Sequence, residues 1–190
     1  MVQLVLASAS PRREALLRQI GYSPLVSPAT VEEETVQEGE DPALYVARQA
    51  YYKARDVAKR FPGSAVLGAD TVVVLEQSII GKPADIETAK TTLRRLSGRK
   101  HVVYTGVAVC FDGQVQQFTA ATDVYVRQLS EERINWYVDT GEPMDKAGAY
   151  GIQGYGALLV EKIEGCYFNV VGLPLIPVAD CLEKIGVGRA

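Results

Sequence analysis

Val2-Gln3-Leu4-Val5-Leu6-Ala7-Ser8-Ala9-Ser10-Pro11-Arg12-Arg13-Glu14-Ala15-Leu16-Leu17-Arg18-Gln19-Ile20 sets the architecture. Its first six residues are a short apolar run that suits a buried strand. Ser8 to Pro11 makes a turn in which Ser10 suits a helix cap and Pro11 the first helical position. Leu16, Leu17 and Ile20 then fall on one helical face, and Gly21 stops the helix. A strand running straight into a helix N-terminus is the opening unit of an α/β fold.

The rest of the chain keeps that alternation. Ser23 to Ser27 suits a second short strand, and Thr30 to Asp41 an acidic loop. Pro42 opens a long helix ending near Arg60, with Leu44, Ala47, Tyr51, Ala54, Ala58 and Phe61 as its expected apolar stripe. Ala65 to Leu75 reads as a strand interrupted at Gly68-Ala69-Asp70, returning after Glu76 through Ile79 and Ile80. Ile86 to Leu96 is a helix. Val102 to Phe111 and Gln114 to Val126 are strands joined by Asp112-Gly113, a hairpin turn signature. Ser130 caps a helix to about Thr140. Gly141 to Gly156 holds five glycines and little periodicity, and a loop that long usually has a function. Leu158 to Ile163 and Cys166 to Val171 read as a hairpin about Glu164-Gly165, and Pro174 begins a last helix ending near Ile185.

Composition narrows the function. The 190 residues are 47% hydrophobic and 23% charged, an ordinary balance for a folded chain that needs no disulfides. One domain spanning residues 1–190 fits that length. A net charge of -3 gives no field for a nucleic-acid backbone, so an anionic ligand needs a local basic cluster. Three scattered cysteines suit a reducing compartment. No apolar stretch suits a signal peptide or a membrane span, so no membrane partner is expected. His101 is the sole histidine, which rules out a His-rich metal site and confines any histidine-dependent triad to it. Neither a P-loop nor a dinucleotide fingerprint is present.

Five segments carry candidate chemistry. Ser8 to Arg13 places two hydroxyls and two guanidiniums at a helix N-terminus, where an anion is favoured; the plainer reading is a capped helix with solvated arginines. Asp70 lies between Ala65-Val66-Leu67 and Val72-Val73-Val74, where a carboxylate must be paired, metal-bound or satisfied by backbone donors. Glu32-Glu33-Glu34 could serve a hard cation, though such runs are commonly just solvated. Lys82, held in a turn by Gly81 and Pro83, and Lys53, beside the apolar stripe, could balance phosphate charge; each alone reads as a surface lysine. Gln153, in Asp145 to Gly154, carries a donor and an acceptor that match the O4 and N3-H edge of uracil or thymine, unless it simply faces water.

Taken in order, Ser8-Ala9-Ser10-Pro11-Arg12-Arg13, Val31-Glu32-Glu33, Lys53-Ala54, Gly68-Ala69-Asp70-Thr71, Gly81-Lys82-Pro83, Leu96-Ser97-Gly98-Arg99 and Asp145 to Gly154 resemble the Maf family, over nearly the whole chain from Leu4 to about Pro174. The resemblance implies a cytoplasmic, metal-dependent nucleotide pyrophosphatase. It implies an elongated mixed β-sheet flanked by helices, with two lobes around a central cleft, similar to inosine triphosphate pyrophosphatase, and a homodimer. Asp70, Lys82 and Lys53 would be the catalytic groups. Ser8, Arg12, Arg13, Thr71 and Gln153 would bind substrate, with Arg12, Thr71 and Gln153 selecting it. Glu33 and Asp70 would hold Mg²⁺ or Mn²⁺. Glu32 stands where many members have aspartate, which leaves the metal ligand open between Glu32 and Glu33. Ala149 to Gly154 is similar to the branch acting on dTTP and UTP. The alternatives are a 7-methyl-GTP pyrophosphatase and a nucleotide-binding regulator of septum formation that needs no hydrolysis.

Overall fold

The computed structural model describes residues 2–31, 34–36 and 39–189. Among them the strands are β1 (Leu4–Leu6), β2 (Leu25–Val26), β3 (Ala65–Leu75), β4 (Ser78–Ile80), β5 (Lys100–Phe111), β6 (Gln114–Val126) and β7 (Val160–Glu164). The helices are α1 (Pro11–Gln19), α2 (Pro42–Ala58), α3 (Ile86–Leu96), α4 (Glu131–Asp139), α5 (Tyr167–Val171) and α6 (Leu175–Lys184). The strands form one seven-stranded sheet in the order β2-β1-β3-β5-β6-β7, with β4 paired to β3. β1 runs parallel to β2 and β3, while β4 and β7 run antiparallel to β3 and β6. The fold is therefore α/β with a mixed sheet. No helix among the described residues is long and apolar enough to cross a membrane.

The chain divides into two compact units. The first holds Met1–Asp70, Thr105–Ala120 and Gly172–Ala190, and the second Thr71–Tyr104 and Ala121–Val171. In the first, Val5, Ala7, Val66, Ala108 and Cys110 pack with Ala50, Ala54 and Val57 of α2. In the second, Val73 and Leu75 of β3 pack with Leu93 and Leu96 of α3, Val124 and Val126 of β6, and Ile134, Tyr137 and Val138 of α4.

Three sequence expectations need correction. β3 is continuous through Gly68-Ala69-Asp70, because a paired polar side chain and close helix packing are both compatible with extended backbone. Of the expected apolar stripe of α2 Ala54 is buried, but it is joined by Tyr45, Val46, Gln49, Ala50 and Val57, whereas Leu44 is 67% exposed. Tyr51, Ala58 and Phe61 only border the core. The expected second strand of the Glu164-Gly165 hairpin is helix α5, and β7 pairs instead with β6. Buried Asn169 explains this, because its amide donates to Val103 O at 3.0 Å and Thr122 Oγ1 at 2.9 Å.

The true face of α2 follows from the strands beneath it. A Cβ at Gly68 would lie 2.3 Å from Ala50 O and 2.7 Å from Ala54 N, and one at Gly106 would lie 2.3 Å from Val46 O. The helix backbone thus rests directly on glycines of β3 and β5, and only small residues fit the seam. Gly68→Ala should force α2 away from β3 and cost about 1–3 kcal/mol. Urea unfolding at neutral pH measures it, and an unchanged midpoint would contradict the close approach.

Candidate active site

Packing α2 onto Gly68 brings Lys53, next to Ala54, over Asp70, two residues beyond the glycine. Lys53 Nζ lies 2.6 Å from Asp70 Oδ1, with side-chain exposures of 14% and 10%. Asp70 is therefore a paired carboxylate near the middle of a buried strand. Such a pair is maintained only where both charges gain partners, since each alone is costly to desolvate.

The first helix is tied to the same strand. Arg13 Nη1 donates to Ser8 Oγ at 3.1 Å and to Ala69 O at 2.9 Å, and its Nε donates to Gly172 O at 2.9 Å. Ser8 Oγ also accepts the Ser10 N-H at 3.2 Å. Arg13 thus clamps the head of α1 to the carbonyl just before Asp70. Ser10 occupies the N-cap without a side-chain cap bond, and Pro11 follows at the first helical position. The dipole there favours an anion beside Arg12. Ser8, Arg12, Arg13, Lys53 and Asp70 all belong to the first unit. The structure joins Ser8 to Arg13 and Lys53 to Asp70, with the Ala69 carbonyl linking the two groups.

Of the expected metal ligands, Glu32 and Glu33 lie outside the described residues. Their neighbour Glu34 is held to α2: its carboxylate pairs with Arg48, and its carbonyl accepts from Tyr45 Oη at 3.2 Å and Gln49 Nε2 at 3.1 Å. Arg48 also grips Glu40, at 2.8 and 2.9 Å. No group of three or more acidic, histidine or cysteine side chains suited to a metal occurs among the described residues. A hard cation of the magnesium type takes oxygen ligands and needs only one or two carboxylates when phosphates supply the remaining oxygens. Asp70 offers one such carboxylate.

The other candidates lie in the second unit. Thr71 follows Asp70 on β3 and is half-buried. Lys82 is exposed between Gly81 and buried Pro83. The Gly148 N-H donates to Gly81 O at 3.0 Å, so the Lys82 turn is fastened to the glycine-rich segment. That segment is not structureless: short 3-10 turns cover Glu142–Asp145, Ala147–Ala149 and Gly154–Leu158. Gln153 is exposed between the last two.

His101 is 2% exposed on β5, and its Nε2 lies 2.6 Å from Tyr150 Oη, while Nδ1 has no partner. Burial lowers its pKa from 6.5 to about 4, against a weak opposing pull from Asp123. It is a neutral structural histidine bracing the start of the Gln153 loop.

A comparison of the sequence with protein families matches residues 3–185 to the Maf-like protein model. The chain belongs to the Maf family. The Maf relatives include a dTTP/UTP pyrophosphatase of Symbiobacterium thermophilum, 51% identical over 98% of this chain and 95% of that one. Another, from Moorella thermoacetica, is 51% identical over 98% and 97%, and one from Pyrococcus furiosus is 43% identical over 96% and 95%; both carry the same name. A solved nucleoside-triphosphatase / dITP/XTP pyrophosphatase from Mycobacterium abscessus is 14% identical, with a TM-score of 0.43 over 74% of this chain and 95% of that one, too slight a likeness to carry an argument.

Two measurements test the site's physics. Lys53→Met strands the buried Asp70 carboxylate and should cost about 3 kcal/mol, most of it recovered on adding Asp70→Leu; additive losses in urea would refute the pairing. His101 protonates in the unfolded chain near 6.5 and in the folded chain only near 4. Its contribution is therefore complete above pH 6.5 and is lost as pH falls towards 4, by about 3 kcal/mol at most. Carboxylates titrate in part of that window too, so the difference from His101→Phe isolates the histidine. An equal pH-dependent loss in both proteins would remove it from the account.

Proposed function

We propose that this Maf protein is a nucleoside triphosphate pyrophosphatase that hydrolyses dTTP and UTP to the monophosphate and pyrophosphate. The observation that carries the reading is the buried Lys53–Asp70 pair, clamped through Ala69 to the arginine-bearing head of α1. The names of relatives up to 51% identical over nearly the full chain support the choice of reaction and base.

Asp70 receives the proton of the attacking water at a carboxylate oxygen, and Lys53, 2.6 Å away, offsets its charge and fixes its orientation. Arg12 and the dipole of α1 attract phosphate oxygens. Arg13, whose donors hold Ser8 Oγ, Ala69 O and Gly172 O, acts by keeping that head in register with β3. Lys82 is assigned to the phosphates, and Thr71 and Gln153 to substrate selection. A divalent cation, Mg²⁺ or Mn²⁺, would be held by Asp70 and Glu33 and would supply charge neutralisation on the phosphates. Catalysis is then mainly positioning and electrostatics, as expected for attack on a phosphoanhydride.

The test is pyrophosphate release from dTTP, UTP, CTP, GTP and 7-methyl-GTP, with added Mg²⁺ or Mn²⁺ and again with chelator. Release should be greatest with dTTP and UTP and vanish with chelator. Asp70→Asn should lower kcat by about 10²–10⁴. Undiminished turnover by that variant would remove Asp70 from the chemistry, and a preference for 7-methyl-GTP would overturn the pyrimidine reading.

A further inference from the structure

The segment carrying Gln153 is built around one carboxylate to which the sequence reading gave no role. Glu142 Oε1 accepts the Tyr137 hydroxyl at 2.9 Å and the Gly156 N-H at 3.0 Å, and Oε2 accepts the Tyr155 N-H at 2.9 Å. The Tyr137 oxygen accepts in turn from the Gly151 N-H at 3.1 Å. Backbone amides on both sides of Gln153 therefore end on a single Tyr137–Glu142 couple. Tyr137 is fully buried on α4, in the core of its unit, so the couple is anchored to packed structure. Glu142 is fixed from its own backbone as well, since its carbonyl accepts Lys146 Nζ at 2.6 Å. The arrangement is close enough to dictate sequence: a Cβ at position 156 would lie 2.0 Å from Gly151 O and 2.9 Å from Tyr137 Oη.

We propose that Glu142, through Tyr137, is a positioning residue for base selection, holding the Gly151–Gly156 backbone so that Gln153 presents its amide in one orientation. The inference rests on the reading of Gln153 as the group that recognises the pyrimidine. Glu142 does not touch the nucleotide. It accepts three hydrogen bonds at once, which a carboxylate can do and a carboxamide cannot, because the amide nitrogen only donates. A donor placed against Tyr137 Oη, Tyr155 N-H or Gly156 N-H leaves at least one of them unmet. The loop then samples several conformations, and the cost falls on discrimination between bases.

The experiment compares wild type with Glu142→Gln and with Tyr137→Phe, which loses only the hydroxyl and guards against a Glu142 variant that fails to fold. Steady-state kinetics with UTP, dTTP and GTP are read beside amide hydrogen exchange across residues 151–156. The expected result is a fall of about tenfold or more in the kcat/KM ratio of UTP over GTP. It should arise from a raised KM for the pyrimidine nucleotides with kcat nearly kept, and with faster exchange at Gly151, Tyr155 and Gly156. A role confined to stability would lower Tm and depress kcat/KM for all three nucleotides alike; that outcome, or unchanged selectivity in both variants, overturns the inference. A wild-type enzyme with no pyrimidine preference instead overturns the functional reading, and this inference with it.

Discussion

A charged pair in the interior of a strand is the constraint around which the first unit is arranged. A carboxylate buried in β3 needs partners, and Lys53 reaches Asp70 because α2 lies almost in backbone contact with the sheet. The glycines at 68 and 106 follow from that need, as does the choice of Val46, Ala50 and Ala54 for the inner face of the helix. Arg13 extends the constraint to α1 by bonding the carbonyl of Ala69. The Asp70 carboxylate is thus fixed by its own strand, by a helix above it and by a guanidinium gripping its neighbour.

Such a site is expensive locally. An ion pair with side chains only 10–14% exposed adds little net stability, because desolvation offsets most of the Coulombic gain. The unit carries it because the surrounding contacts are apolar and close-packed, with Val5, Val57 and Val66 fully buried nearby. A polar pair kept at the centre of such packing makes better sense as chemical equipment than as a source of stability.

The sequence made the elements legible where patterns are local. The bounds of Ala65–Leu75, though not its continuity through Gly68-Ala69-Asp70, and Ile86–Leu96 and the Asp112-Gly113 turn could be read from apolar runs, caps and turn chemistry alone. It misled where a long-range contact chooses between two local options. Both Leu44-Ala47-Tyr51 and Val46-Ala50-Ala54 make plausible helical stripes, and only the glycines in distant strands favour the second. Tyr167–Val171 has strand-like composition, yet Asn169 is drawn into the core by Val103 and Thr122 and the backbone coils instead. Candidate residues such as Asp70, Lys53, Arg13 and Gln153 could be named because an odd residue in an apolar run, or an ordered set of short motifs, is visible in one dimension. Tyr137 and Glu142 could not, since a residue that works by bonding backbone elsewhere in the chain has no period and no motif of its own. His101 is an intermediate case: it alternates with Val103 and Thr105 on the buried side of β5, which was a signal of burial.

The two units fix their candidate groups by different physics, and the difference bears on how selectivity and catalysis could vary independently. Asp70 sits within continuous sheet, so its position is set by strand geometry and helix packing and moves only if the core moves. Gln153 sits in a chain of short turns, so its position is set by discrete hydrogen bonds from the Gly151, Tyr155 and Gly156 amides to Tyr137 and Glu142, with Tyr150 at the start of the segment held by His101. Changing a packed core costs stability in proportion to the volume disturbed, whereas re-aiming a loop requires only that its few polar anchors be exchanged for others. Under the proposed function, a single fold can in this way keep one hydrolytic apparatus while the segment proposed to read the base is altered. With Gln153 as the proposed base reader, substrate range within such a scaffold would depend as much on the carboxylate that anchors the loop as on the glutamine it carries.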